Sequence, residues 1–142
     1  MPSVVVKNIS KRFGTVTALD NVSFTVGDKS FLTLLGPSGC GKTTMLRLIA
    51  GFDRPDQGEI RIGSDTVSSG EQNLNMPASE RNLGMVFQSY ALWPHMTVFE
   101  NIAYPLRLRK IKGTDIQQKV KSVLNLIQLE EIEKRYPAEL SG

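Results

Sequence analysis

The sequence predicts an α/β fold, with an antiparallel β portion near the N-terminus and a helical segment toward the C-terminus. Three observations predict it. Val22, Phe24 and Val26 alternate with polar residues, which indicates a half-buried strand. Residues 31–35 are almost wholly apolar, which is typical of a strand buried on both faces of a parallel sheet. After residue 114, apolar residues recur at helical spacing.

Further strands are predicted on either side of these elements. Residues 4–9 are rich in β-branched residues and predict the first strand. A turn at residues 54–58 precedes a strand at 59–62, and residues 83–87 form another short apolar strand. Residues 63–79 are polar, so we expect a loop there.

Three helices are predicted, each with a defined start or stop. Residues 43–50 form the first, and Gly51 ends it. Thr97 begins the second as the N-cap of a capping box with Glu100, and Thr114 begins the third in the same way. The predicted inward residues are Met45, Leu46, Ile49 and Ala50 in the first helix, and Ile116, Val120, Val123, Leu124 and Ile127 in the third.

Composition narrows the class of protein. A chain of 142 residues has the usual size of one domain. The net charge of +3 is modest and no dense run of lysine or arginine occurs, so we expect no nucleic-acid partner. No apolar run approaches the roughly 20 residues that span a bilayer. The single cysteine, Cys40, cannot form an internal disulfide, which agrees with a cytosolic protein.

Residues 36–43 carry the strongest chemical pattern, because they fit G-x-x-x-x-G-K-[ST]. Glycines let backbone N–H groups approach phosphate and adopt the positive φ angles that the loop needs. The helix that follows presents its N-terminus to the phosphates, Lys42 adds a compact positive charge, and the hydroxyl of Thr43 is a Mg²⁺ ligand. The alternatives are a glycine-rich turn without a ligand and, for Cys40, a nucleophile, for which no partner base is evident.

A phosphate loop alone leaves several classes of enzyme open. A GTPase is expected to carry N-K-x-D, and no asparagine here is followed by lysine. A small-molecule kinase needs clustered arginines in a lid, whereas the arginines here are scattered. A RecA-like motor needs a strand that ends in Asp or Asp-Glu, which these 142 residues lack.

Five segments, in order, resemble the ATP-binding subunits of ABC transporters, and the resemblance covers essentially the whole chain. Phe13-Gly14 matches the aromatic loop, residues 36–44 match Walker A, and residues 51–58 match the turn after its helix. Val86-Phe87-Gln88 matches the Q-loop, and Leu140-Ser141-Gly142 looks like the opening of the signature motif. Residues 88–98 resemble the import subfamily that serves sugars, polyamines and ferric iron.

The resemblance implies a role for each of these sites. Phe13 is expected to stack on adenine, Gln88 to contact Mg²⁺ and the attacking water, and Ser141 to cap the γ-phosphate of ATP on the opposite protomer. Residues 88–96 are expected to face the transmembrane permease. The implied cofactors are ATP and Mg²⁺, with Thr43 and Gln88 as metal contacts and Gln88 as the catalytic residue. The implied nucleotide contacts are Phe13, Gly36, Pro37, Ser38, Gly39, Cys40, Gly41, Lys42, Thr43, Thr44 and Ser141.

The resemblance also implies an organisation in which residues 1–142 are the N-terminal part of an ABC ATPase domain. Residues 1–87 correspond to a partial P-loop NTPase core with its β portion, and residues 88–142 to the Q-loop and helical segment; the Walker B half is absent. We therefore expect this chain to bind ATP without turning it over, and to self-associate through the edge at residues 31–35. The complete subunit is expected to pair with a second copy on the cytoplasmic side of the membrane.

Two other functions stay open at this point. The chain could be a stand-alone nucleotide-binding module without catalysis. It could also be another P-loop enzyme, such as a kinase.

Overall fold

The computed structural model describes residues 2–140, and the chain divides into two compact units after Met85. The first unit holds a sheet and one helix, and the second unit holds two longer helices. The predicted site residue Ser141 and its neighbour Gly142 lie outside the described residues.

The first unit is built on a five-stranded antiparallel sheet with the strand order β2-β1-β3-β4-β5. The antiparallel portion predicted near the N-terminus is confirmed. Residues 4–6 of the long first strand pair with strands on both sides, so that Val6 lies between Phe24 and Ile60. The strands are β1 (Val4–Phe13), β2 (Val16–Val26), β3 (Gln57–Ile62), β4 (Asp65–Ser69) and β5 (Leu74–Asn75).

Helix α1 (Lys42–Ala50) packs its apolar side into the core of this unit. Met45 and Leu48 are buried in one cluster with Ile9 and Ile60. The predicted inward face is partly wrong, because Leu46 is half exposed whereas Leu48, three residues after Met45, is buried. The cluster comprises Val6, Ile9, Leu19, Met45, Leu48, Ile60, Ile62 and Val67.

Gly51 ends α1 as predicted. Its φ of 87° is left-handed, and its N–H donates to the carbonyls of Arg47 and Leu48. This is the usual glycine stop, which satisfies carbonyls that the last turn leaves open.

Two predicted strands are wrong. Residues 31–35 and 83–87 form no strand, and Phe31 and Leu35 are 93% and 95% exposed. A strand requires a neighbour for its backbone hydrogen bonds, and among residues 2–140 neither segment pairs with another. An apolar run indicates that a segment is suited to burial, but it does not specify a neighbouring strand for its backbone hydrogen bonds.

The predicted loop at residues 63–79 is also wrong, since it contains β4 and β5. The loop was predicted because these residues are polar, and polar residues are typical of exposed segments. Ser68 and Ser69 are buried, and their hydroxyl groups donate to Asn75 Oδ1 at 3.1 Å and Glu71 Oε2 at 3.3 Å. A buried serine is tolerated when such partners exist.

The second unit is built on α2 (Val98–Leu108) and α3 (Gly113–Leu126). The capping box at the start of α2 is confirmed. Thr97 Oγ1 accepts from the Glu100 N–H at 3.2 Å, and Glu100 Oε2 accepts from the Thr97 N–H at 2.8 Å. Both ends of the box are therefore satisfied at the helix start.

The predicted start of α3 is wrong by two residues, and Thr114 is not its cap. The N-cap is Lys112, and the Thr114 hydroxyl group reaches Asp115 Oδ1 at 3.4 Å instead of a backbone N–H. Of the predicted inward residues, Val123 and Ile127 are about half exposed. The buried cluster of this unit is Ala103, Ile116, Val120 and Leu124.

Candidate functional site

The glycine-rich loop runs over residues 36–41 and leads directly into α1. Gly39 and Gly41 have φ angles of 81° and 92°, in the left-handed region. At Gly41 a Cβ atom would lie 2.5 Å from the carbonyl oxygen of Ala18 and 2.8 Å from Leu19 Cδ2. Only glycine fits there, and its absence of a side chain lets the loop lie against β2.

The N-terminus of α1 is open to an anion. Its N-cap is Gly41, no side chain among the described residues caps it, and its first turn carries no acidic residue. The first intrahelical bond runs from the Met45 N–H to the Gly41 carbonyl at 2.9 Å. The N–H groups of the first turn have no partner within the helix, and the helix dipole adds positive potential there.

Lys42 is the first residue of α1, and its side chain folds back over the loop. Its Nζ donates to the carbonyl oxygens of Gly36 and Pro37, each at 2.7 Å, and lies 3.3 Å from Cys40 Sγ. A positive charge therefore sits against the same backbone whose N–H groups are suited to phosphate.

The remaining loop residues are accessible to solvent. Ser38, Cys40 and Thr43 are exposed, and Thr44 is partly buried. Within residues 2–140, no group of three or more His, Cys, Asp or Glu side chains could hold a metal. The hydroxyl oxygen of Thr43 suits Mg²⁺, but a single protein oxygen holds this ion only when phosphate oxygens complete the coordination.

Phe13 lies at the end of β1 and half of its surface is exposed. Lys11 Nζ sits 5.3 Å from the centroid of its ring, within the range of a cation–π contact. Asp56 accepts from Lys11 Nζ at 3.0 Å and from the Arg12 N–H at 2.7 Å. One face of the aromatic ring thus has a lysine beside it, and that lysine is held by a carboxylate.

The carboxylate of Asp56 stays ionised in this arrangement. Burial raises its pKa, but the hydrogen bond from the Arg12 N–H and the ammonium group of Lys11 outweigh that effect, so the pKa is lowered. The sequence does not predict this ion pair, because Lys11 and Asp56 lie 45 residues apart.

Gln88 lies in the second unit, exposed in a turn at residues 88–91. The segment that follows it is accessible, with Tyr90, Leu92 and Trp93 exposed. Trp93 makes ring contacts with His95 and Tyr104, whose centroids lie 5.9 and 6.1 Å away.

Asn101 holds this loop, a role that the sequence does not predict. Its Oδ1 accepts from the Trp93 N–H at 2.9 Å. Its Nδ2 donates to the carbonyls of Trp93, Met96 and Thr97 at 3.0 to 3.1 Å. An asparagine four residues after a helix N-cap carries no pattern that predicts such a role.

The described geometry is that of an open phosphate loop at a helix N-terminus, and comparison with known families agrees with it. The ABC transporter family matches residues 19–142. The chain belongs to the ABC transporter family. The predicted resemblance is therefore confirmed.

Curated relatives within the ABC family match the full length of this chain. The trehalose/maltose import ATP-binding protein MalK of Thermococcus litoralis is 50% identical over 142 residues, which are 100% of this chain and 38% of that protein. The spermidine/putrescine import ATP-binding protein PotA of Nitrosomonas eutropha is 46% identical over the same share of each chain. The chain thus spans about two fifths of the length of these relatives.

A solved ABC structure shares the fold. The dimeric post-hydrolysis state of the ATP-binding cassette MJ0796, bound to ADP and Pi, superposes with a TM-score of 0.80 at 30% identity. The match covers 97% of this chain and 63% of that one. The predicted α/β fold of an ABC ATPase is confirmed, apart from the two strands corrected above.

The helices of residues 2–140 include none with both the length and the apolar character needed to cross a membrane.

Proposed function

We propose that this chain binds Mg-ATP through the loop at residues 36–44. The observation that carries the proposal is the uncapped N-terminus of α1, with the Lys42 ammonium group lying over the glycine loop that leads into it. Backbone N–H groups and a lysine at one helix start form a site suited to the β- and γ-phosphates of a nucleotide.

The parts of ATP are assigned to different residues. Lys42 and the loop amides bind the phosphates, and Thr43 supplies one hydroxyl oxygen to Mg²⁺. Phe13 offers an exposed ring face to adenine. We assign Gln88 to Mg²⁺ and the attacking water, and Ser141, which lies beyond the described residues, to the nucleotide of a second copy. Mg²⁺ held by the Thr43 hydroxyl group and the phosphates would neutralise part of the negative charge of the nucleotide.

For the complete protein, we propose the ATPase subunit that energises an ABC import transporter. Two relatives named as import ATP-binding proteins support this, since they are 46% and 50% identical to this chain. Residues 88–96 are proposed to contact the transmembrane permease. The protein would then lie peripherally on the cytoplasmic face of the membrane. A second ATPase subunit completes the assembly, as in the dimeric relative.

This chain by itself is proposed to bind ATP without steady turnover. Hydrolysis needs a residue that orients or deprotonates the attacking water. The dipeptide Asp-Glu does not occur in these 142 residues.

A calorimetric titration with Mg-ATP tests the proposed site. We expect saturable binding that Lys42→Ala abolishes, because the variant loses the charge on the phosphates. Lys121→Ala is the matched control, since it removes the same charge from an exposed helix face of the second unit.

Equal loss in both lysine variants would contradict the site, and so would full binding by Lys42→Ala. A turnover assay on the same samples tests the second part. Steady ATP hydrolysis that disappears in Lys42→Ala would contradict binding without turnover.

A further inference from the structure

Arg81 is a buried arginine without a carboxylate partner. It follows a single 3-10 turn at Ala78–Glu80 in the first unit, and only 4% of its surface is exposed. Within residues 2–140, no acidic side chain pairs with it. Burial lowers its pKa, as expected for a cation taken out of water.

All of its guanidinium nitrogens find acceptors, and four of the five acceptors are backbone carbonyls. Nη1 donates to the carbonyls of Leu48 at 2.7 Å and Ile49 at 2.9 Å. Nε donates to the Met76 carbonyl at 2.8 Å. Nη2 donates to the Val67 carbonyl at 3.2 Å and to Asn75 Oδ1 at 2.7 Å.

Two of these acceptors are the carbonyls of the last turn of α1. The C-terminal end of a helix carries partial negative charge and open carbonyl groups, so it suits a cation. The other acceptors belong to β4, to β5 and to Met76, which follows β5. The guanidinium group therefore joins the C-terminal turn of α1 to the sheet.

Gly51 makes this approach possible. A Cβ atom at Gly51 would lie 2.6 Å from Arg81 Nε and 3.0 Å from the Ala78 nitrogen. The residue that ends α1 is thus also the residue that leaves room for the guanidinium group.

The same helix carries the phosphate loop at its other end. Helix α1 has nine residues and is about 13 Å long. A tilt of about 5° at the Arg81 end displaces the loop end by roughly 1 Å, and displacements of that size weaken interactions that depend on alignment.

We propose that Arg81 is a positioning residue of the nucleotide site: by holding the C-terminal turn of α1 to the sheet, it sets the position of the phosphate loop at the opposite end. This inference rests on the proposed function, because it assumes that the loop binds nucleotide phosphates. It differs from a purely structural role, which lowers stability and leaves the affinity of the folded protein unchanged.

The test compares Arg81→Met and Arg81→Lys with the matched control Arg61→Met, which removes an exposed arginine from β3 of the same sheet. Mg-ATP affinity is measured by calorimetry at a temperature where each variant is folded, and is corrected for the folded fraction from a thermal melt. We expect Arg81→Met to weaken binding at least about tenfold. Arg81→Lys retains charge and some donors, so we expect a smaller loss, and Arg61→Met should bind like the wild type.

A lower melting temperature with unchanged affinity in both Arg81 variants would overturn the inference, since it would show a structural role alone. If Arg81→Met does not fold, Arg81→Lys decides the question by the same comparison.

Amide hydrogen exchange separates this inference from the proposed function. If the wild type binds no ATP, the proposed function fails. Amide exchange in the ATP-free protein still tests whether Arg81 holds α1 to the sheet. We expect Arg81→Lys to accelerate exchange in α1 more than in β1 and β3. Equal acceleration throughout the first unit would overturn the inference.

Discussion

At the scale of single residues, we propose that Lys42 contacts the phosphates of the nucleotide and that Phe13 contacts its base. Lys42 lies on the loop whose backbone suits the phosphates, whereas Phe13 offers a half-exposed ring with Lys11 beside it. A base that stacks on an aromatic ring gains affinity without any specific hydrogen bond.

Replacement of Phe13 is expected to weaken ATP and spare a ligand without a base. We predict that Phe13→Ala weakens Mg-ATP binding by about 1–3 kcal/mol, and that Phe13→Tyr retains it because the ring face remains. Inorganic triphosphate is the control ligand, and calorimetry should give equal affinities for the wild type and Phe13→Ala. An equal loss for both ligands would contradict the assignment of Phe13 to adenine.

A candidate site can be predicted from the sequence where its pattern is local. Lys42 and Thr43 were predicted from one eight-residue motif, because the lysine, the hydroxyl group and the glycine backbone are neighbours in the chain. Asp56 and Arg81 were not predictable. Their partners, Lys11 and Leu48, are 45 and 33 residues away, and only the folded chain brings them together.

At the scale of secondary-structure elements, Thr97 of α2 can be compared with Thr114 of α3. Thr97 caps its helix through a complete capping box, whereas Thr114 lies inside the first turn of α3 and caps nothing. The two sequences look alike, and the difference arises because α3 begins two residues earlier than a Thr114 cap would require, at Gly113.

We predict that Thr97→Ala lowers the free energy of unfolding of the second unit by about 1 kcal/mol, the usual cost of a lost N-cap. Thr114→Ala is the matched control and should change stability little, because alanine is a good helix former. Urea titrations monitored by the fluorescence of Trp93 measure both. Equal effects would contradict the capping assignment.

The stability of the N-terminus of α2 depends on pH through Glu100. Hydrogen bonds from the Thr97 N–H and hydroxyl group lower its pKa below the ordinary value of 4.5. Its ionised form thus contributes stability above pH 4.5, which is lost as the pH falls through the lowered value. Glu100→Gln should keep the capping hydrogen bond and remove this dependence. Stability profiles of wild type and variant that stay parallel below pH 4.5 would contradict it.

The elements predicted wrongly share a physical cause. Residues 31–35 and 83–87 are apolar, but strand formation depends on a partner that the apolar pattern does not specify. The reverse holds for β4, where the buried Ser68 and Ser69 look like loop residues because their hydrogen-bond partners are not visible in the sequence.

At the scale of the whole molecule, each compact unit has its own buried cluster. Ile60 lies at the centre of the sheet unit, and Leu124 lies between the helices of the second unit. The only tryptophan of the chain, Trp93, lies in the second unit and reports on it.

We predict that Leu124→Ala destabilises the second unit by about 2–5 kcal/mol, the range for a buried leucine, and shifts the Trp93 transition accordingly. Ile60→Ala removes a similar side chain from the other cluster and is the control. Its effect should appear mainly in the far-ultraviolet circular dichroism of the sheet. An equal shift of the Trp93 transition by both variants would show a single cooperative core instead.

We propose that nucleotide phosphates bind at the start of α1. The most direct measurement is a heteronuclear NMR titration of the ¹⁵N-labelled protein with Mg-ATP. We predict that the amide resonances of Gly39, Gly41 and Lys42 shift most and saturate together. Saturable shifts confined to other residues, with these three unchanged, would contradict it.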